Sequence, residues 1–246
     1  MLKDSTGSMI IIEGCDGSGK TTVAKALVEK LKAEGFTKVN YCRSPGGSTY
    51  GEEVRKIAFK HNDLCDDEFA MLFLSGMLHT VRNDVLPKLN DGYIVVMDRF
   101  YRSTYIYQRF YELYDNNNDI DFSNYNPSKR VIALHRIRER MFKSIRALID
   151  IDIAKYMHTE FILKIPTDVA YTRIVKRKAP KSSFENKCDL RYVARINEIY
   201  DSITIPRLRS TEVKYNLSNK LKIKHINADR NVNEIVNDMY YYVMLP

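Results

Sequence analysis

Residues 14–22, GCDGSGKTT, have the spacing of a loop that grips phosphate: a glycine, four residues, then Gly19-Lys20-Thr21. Gly14, Gly17 and Gly19 free the backbone, so that its N–H groups and those of Cys15, Asp16 and Ser18 turn inward on phosphate oxygens. The helical pattern that follows adds its N-terminal dipole to the same anion site. Lys20 would place a point charge on the β and γ phosphates of a nucleoside triphosphate. The Thr21 hydroxyl would ligate Mg²⁺, with Thr22 behind it. The apolar MIIIE (9–13) ahead of the loop is the strand that this motif requires.

The second half of a magnesium site is a carboxylate at the end of another strand. YIVVMDR supplies Asp98 for that role. Arg99, directly after it, would project a guanidinium toward the same mouth of the sheet. Arginine suits phosphate because its planar fork binds two oxygens at once. A second phosphate beside the first is what a phosphoryl acceptor presents.

Positioning these groups needs strands that end together. Short apolar runs at 9–13, 38–42, 93–97, 160–165 and 222–227 read as strands, several apolar almost throughout, as parallel strands covered on both faces are. Between them lie helical patterns at 20–34, 52–60, 66–90, 101–113, 131–157, 167–178, 187–203 and 231–243. This alternation predicts an α/β fold. The Asn-rich stretch 114–129 and the basic, Pro- and Ser-containing stretch 176–187 read as connections. No linker divides the chain, so a single domain, 1–246, is expected.

Composition narrows the classes. A chain of 246 residues with 44% hydrophobic and 28% charged residues is an ordinary globular protein. It holds no apolar run of about 18 residues, so no membrane span is expected. The opening MLKDSTGS lacks the apolar core of a secretory signal. Cys15, Cys42, Cys65 and Cys188 are scattered without zinc-ligand spacing, which fits a reducing cytoplasm, a host's if the source is a virus. The net charge of +8 suits either steering of small anions or tracking of nucleic acid.

On these residues the chain resembles the thymidylate kinase family of P-loop nucleoside-monophosphate kinases, bacterial or phage-like. EGCDGSGKTT looks like the family's loop, with its internal carboxylate at Asp16. RSPGGSTYGEEVR (43–55), DRFYRSTYIYQ (98–108), the long helix, Pro, Gly and strand of 72–99, and HINADRNVNEIV (225–236) are similar to its other segments. The likeness covers nearly all of the chain except 109–158. It implies a three-layer fold with a five-stranded parallel sheet flanked by helices and a lid at about 176–187. It also implies transfer of a phosphoryl group from ATP, with Mg²⁺, to a deoxypyrimidine 5′-monophosphate, first of all dTMP to dTDP.

Carried over by motif, Lys20, Asp16, Arg99 and Arg177 would form the catalytic set, with Arg177 the lid cation and Lys176 or Lys181 its substitutes. Thr21 and Asp98 would hold the metal. Arg43, Arg55 and Arg99 would surround the acceptor phosphate, and Asp16 would position the acceptor near its phosphate and sugar. Phe73 would stack on the base, with Ser103, Thr104 and Gln108 on the pyrimidine edge and Tyr107 beneath the sugar. The family is often dimeric through its long helices, which predicts a homodimer packed by 66–90 and 131–157.

Three positions depart from the family's pattern. Met77 stands where an arginine commonly donates to the thymine 4-oxygen, a loss of about 1.5–3 kcal/mol of discrimination and a softer wall to the pocket. Ser44 replaces a glutamate. Arg109 replaces a glycine and opens the extra segment 109–158. That segment includes an amphipathic helix with Leu134, Ile137, Met141, Ile145 and Leu148 on one face and Arg136, Arg140 and Lys143 mostly on the other. Met77 therefore keeps dUMP or a modified deoxyuridylate, such as 5-hydroxymethyl-dUMP, as the alternative substrate. The basic face keeps open a nucleic-acid-binding P-loop protein or polynucleotide kinase. A degenerate kinase retained as a scaffold is a third class, against which the intact loop, Asp98 and Arg99 argue.

Overall fold

The computed structural model describes residues 7–61, 63–115, 129–177, 189–203 and 221–244. Its strands are β1 Ser8–Gly14, β2 Val39–Arg43, β3 Ile94–Asp98, β4 Met157–Lys164 and β5 Leu221–Asn227. All pair in parallel, in the order β2-β3-β1-β4-β5. The helices are α1 Lys20–Ala33, α2 Thr49–Lys60, α3 Asp66–Thr80, α4 Leu86–Asn90, α5 Tyr101–Asp115, α6 Lys129–Ile153, α7 Thr167–Val175, α8 Leu190–Asp201 and α9 Val232–Met244.

The apolar runs are explained by burial of the sheet on both faces. Alternation along β1 sends Ile10 and Ile12 into a core with α1 and α9, and Met9 and Ile11 into a second core with α3 and α6. A third cluster forms where α5, α7 and α8 meet, around Ile106, Ile162, Tyr192 and Tyr200. The loop 14–19, Arg43, Asp98 and Arg99 all emerge at the carboxyl ends of β1, β2 and β3. Ligands of open α/β sheets are held at that rim.

Strand positions agree with the sequence reading to within a few residues, and the helices differ instructively. The stretch 66–90 is interrupted by a π-helical turn, Val81–Val85. Pro87 has no N–H for the Asn83 carbonyl, so the ladder widens just before it. The helix expected from 52 starts at Thr49, because Ser48 caps it by accepting the Gly51 N–H at 3.0 Å. The helix expected to reach 157 ends at Ile153. From Met157 the chain pairs with β1 and later with β5, and sheet pairing overrides helical periodicity.

The apolar face of α6 is also rotated from the expected one. Ile145 and Phe142 pack against the second core, Ile149 and Ile153 are buried in it, and Leu148 is 44% exposed. Proximity to the sheet selects the Ile149–Ile153 stripe over the one through Leu148. The side chains of Leu134, Arg136 and Ile137 lie outside the described residues. No described helix is long and apolar enough to cross a membrane.

Candidate active site

The loop between β1 and α1 is shaped by two glycines in the left-handed region. Gly19 has φ 89° and sits at the N-terminus of α1. Gly17 has φ 82°, and a Cβ there would lie 2.3 Å from the Ala170 carbonyl oxygen, so only glycine lets α7 press against the loop. Lys20 is buried inside this turn. Its Nζ donates to the Cys15 carbonyl at 2.6 Å and stands 3.9 Å from Asp16 Oδ1. Burial, and then repulsion from Arg99, push the Lys20 ammonium down to about 8.

Arg99 comes from the rim of β3 and meets Asp16 across the loop. Its backbone is left-handed at φ 68°, a strained conformation for a residue with a side chain. The turn aims the guanidinium at the loop, where Nη2 donates to Asp16 Oδ1 and Nη1 donates to Ser103 Oγ at 3.0 Å. Burial resists the Asp16 charge, but Arg99, then Lys20 and Arg177, outweigh it and hold the carboxyl below its ordinary range. Tyr107 lies under the same pair. Its hydroxyl accepts the Asp16 N–H at 2.9 Å, and Arg99 sits 5.3 Å from its ring centroid. The expected catalytic residues Lys20, Asp16 and Arg99 are thus one cluster. Arg177, just past α7, is near enough to act electrostatically on Asp16. Lys176 is exposed, and Lys178 and Lys181 lie outside the described residues.

Asp98 ends β3 beside the start of α1. Its Oδ2 accepts the Thr21 hydroxyl at 2.6 Å and the Tyr41 hydroxyl at 3.0 Å. Its Oδ1 is buried and has no hydrogen-bond partner among the described residues. A buried carboxylate oxygen without a donor, beside a threonine hydroxyl whose proton is already given away, is a hard oxygen donor set that suits Mg²⁺. Burial, then Asp98, push the Tyr41 phenol up, so it stays a donor.

Glu13, the last residue before Gly14, braces the start of α5, which carries the Ser103 that Arg99 bonds to. Its side chain is fully buried; Oε1 accepts the N–H groups of Phe100 at 2.8 Å and Ser103 at 3.2 Å, which caps the start of α5. Oε2 accepts from Ser103 Oγ at 2.6 Å and Tyr200 OH at 3.0 Å. Burial and then the nearby Glu160 push the Glu13 carboxyl up. Glu160 is itself tied to Arg102 in a buried pair.

The other expected substrate residues divide. Arg43 is gripped by Glu52, with Nη2 at 2.8 Å from both carboxylate oxygens and Nε at 3.0 Å from one. Arg55 lies over the Phe59 ring, 4.9 Å from its centroid, and Phe59 and Phe69 pack around Phe73. Thr104 is buried on α5, and the buried Gln108 Oε1 has no partner among the described residues. The Ser103 hydroxyl is shared among Glu13, Arg99 and Tyr200. Met77 is 1% exposed and belongs to the second core, together with Val81 and Met97.

Sequence reasoning passed over Glu13, Tyr41, Glu52 and Arg173. Arg173 on α7 donates to the Gly17 carbonyl at 3.4 Å and lies 3.9 Å from Asp229. Its position one turn before Arg177 was the available signal. An acidic residue closing an apolar strand, as Glu13 does, was another.

The family model named Thymidylate kinase matches residues 12–146, more than half of the chain. The chain is 41% identical over 105 residues to "Thymidylate kinase" of Caldanaerobacter subterraneus subsp. tengcongensis, covering 42% of this chain and 50% of that protein. It is 42% identical over 100 residues to "Probable thymidylate kinase" of Archaeoglobus fulgidus, covering 41% of this chain and 49% of that protein. The chain thus spans about half the length of the curated relatives it matches.

Proposed function

Because the chain belongs to the thymidylate kinase family, we propose that it is a nucleoside-monophosphate kinase that transfers the γ-phosphoryl group of ATP to dTMP, giving ADP and dTDP. The observation that supports this most directly is the joining of Asp16 and Arg99 beside Lys20. It sets a second phosphate-binding cation at the mouth of a triphosphate loop, where an acceptor phosphate would lie.

In this reading the loop amides and Lys20 hold the donor phosphates, and α1 adds its dipole. Arg99, aimed by its left-handed turn and held by Asp16 and Ser103, receives the acceptor phosphate, with Arg43 and Arg55 around it. An acceptor phosphate oxygen then bonds to the γ phosphorus as the bond to the ADP oxygen breaks. The work is positioning and charge neutralisation. Thr21 and Asp98 would hold Mg²⁺, which when bound neutralises charge on the β and γ phosphates. Phe73 would stack on the base, Tyr107 would floor the sugar and Gln108 would meet the pyrimidine edge, with Met77 supporting the wall from behind. Arg177 would act from a lid over the donor. The reading also takes the chain as one cytoplasmic domain that pairs as a homodimer through α3 and α6, whose Met71, Leu148 and Ile151 are exposed.

Coupled ADP release, measured with ATP and Mg²⁺ across dTMP, dUMP, dCMP and 5-hydroxymethyl-dUMP, tests the proposal. Turnover with dTMP well above the others is expected. Preference for a 5-modified deoxyuridylate would move the substrate, and no turnover with any of them would reject the kinase reading.

The Lys20 shift adds a pH expectation. Phosphate neutralisation needs the ammonium form, and kcat/KM for ATP reports the free protein. It should fall as pH rises through about 8, more than two units earlier than an ordinary lysine would dictate. A profile flat to pH 10 would show that Lys20 is not depressed.

A further inference from the structure

We infer that Tyr41 is a positioning residue for the metal-holding carboxylate, fixing Asp98 so that Oδ1 is presented to the cation. The inference rests on Thr21 and Asp98 being the residues that hold Mg²⁺.

The register of the sheet makes the contact unavoidable. Val39, Tyr41 and Arg43 of β2 pair with Ile94, Val96 and Asp98 of β3, and Val39 and Tyr41 pack on the core that β3 shares with α1. Tyr41 therefore lies on the same face as Asp98, one pair back from it, and a phenol is long enough to span that diagonal. Lys25 of α1 lies 5.8 Å from the Tyr41 ring centroid, so the ring is bounded on the helix side as well.

Two hydroxyls then act on a single oxygen. Thr21 donates to Asp98 Oδ2 at 2.6 Å from α1, and Tyr41 donates to the same atom at 3.0 Å from β2. One donor restrains Oδ2 only in its distance from that donor, and rotation about the last bond of aspartate is soft, so the carboxylate can still swing. A second donor from a different element narrows that swing, and with it the position of Oδ1. Oδ1 is left buried and without a partner among the described residues. Thr21 is expected to hold the cation too, so its contact with Asp98 cannot by itself set the carboxylate independently of the metal. Tyr41 can, since it holds Asp98 without being a ligand. Outer groups that orient ligands in this way commonly govern metal affinity by about 10- to 100-fold.

The test is Tyr41→Phe, which removes one oxygen atom and keeps the ring. Mn²⁺ binding to the protein with ADP, followed by the electron paramagnetic resonance signal of free Mn²⁺, gives a readout independent of turnover. Affinity in Tyr41→Phe should fall about tenfold or more. The Mg²⁺ concentration for half-maximal turnover should rise in parallel, with most of kcat recovered at saturating Mg²⁺. A merely structural hydroxyl would lower kcat at every Mg²⁺ concentration and leave Mn²⁺ affinity alone; that outcome, or unchanged affinity and turnover, overturns the inference. Thr21→Val separates the two levels of the argument. If it leaves nucleotide-dependent Mn²⁺ binding intact, the metal reading fails and the inference with it. If it abolishes binding while Tyr41→Phe matches wild type, only the role of Tyr41 fails.

Discussion

Lys20→Ala is expected to lower kcat by about 10³-fold while the protein remains folded. Lys20 is the loop's one cationic side chain, buried between the Cys15 carbonyl and Asp16. Loss of a preorganised donor to developing phosphate charge commonly costs about 10²–10³ in rate, and loss of a cation in phosphoryl transfer about 10³–10⁵. Stability should change little or rise. Burial holds the Lys20 ammonium down to about 8, so the native state binds its proton less tightly than the unfolded chain does. Between about pH 8 and the ordinary lysine value, the native state already carries less charge. Below about 8, keeping the ammonium charged and buried opposes folding. Single-turnover rates beside urea unfolding at pH 7 decide the matter. A loss of activity that tracks a loss of folded protein would show Lys20 to be structural.

Glu13→Ala is expected to have the largest effect on stability, about 3–5 kcal/mol, and to weaken acceptor binding as well. The substitution strands the buried N–H groups of Phe100 and Ser103, each costing about 1–3 kcal/mol unpaired, and leaves a cavity. It also frees the Ser103 hydroxyl from Glu13, and through Ser103 it loosens Arg99. Glu13→Gln keeps the acceptor at Oε1, so it should lose less stability yet still raise KM for the monophosphate. The pH dependence separates the two variants from wild type. The Glu13 carboxyl is raised, first by burial and then by Glu160. Its contribution is therefore full below the ordinary glutamate value and is lost as pH rises through the raised one. Wild type should lose stability across that interval relative to Glu13→Gln, by urea unfolding at successive pH values. Equal slopes would mean that Glu13 titrates normally.

Glu13 shows where reading from sequence runs out. It looks like the polar end of an apolar strand, and nothing local says that its partners are Ser103 and Tyr200, 90 and 187 residues on. The same holds for Arg43, whose fork is taken by Glu52 across the turn between β2 and α2. The motif that contains Arg43 carries no sign of that partner. Nor does the motif that contains Ser103 say that its hydroxyl bonds to Glu13, Arg99 and Tyr200.

By itself, the sequence determined the loop, the strands and their parallel character. Each depends on spacing within a few residues: glycines at turn positions, apolar runs of strand length, a carboxylate at the end of one of them. The strand order, the left-handed turn at Arg99, the π-helical turn before Pro87 and the meeting of Asp98 with Tyr41 were decided only in the tertiary structure. The reason is physical. A buried polar group must find a partner wherever packing puts one, and packing joins residues by register and face, which sequence distance does not encode.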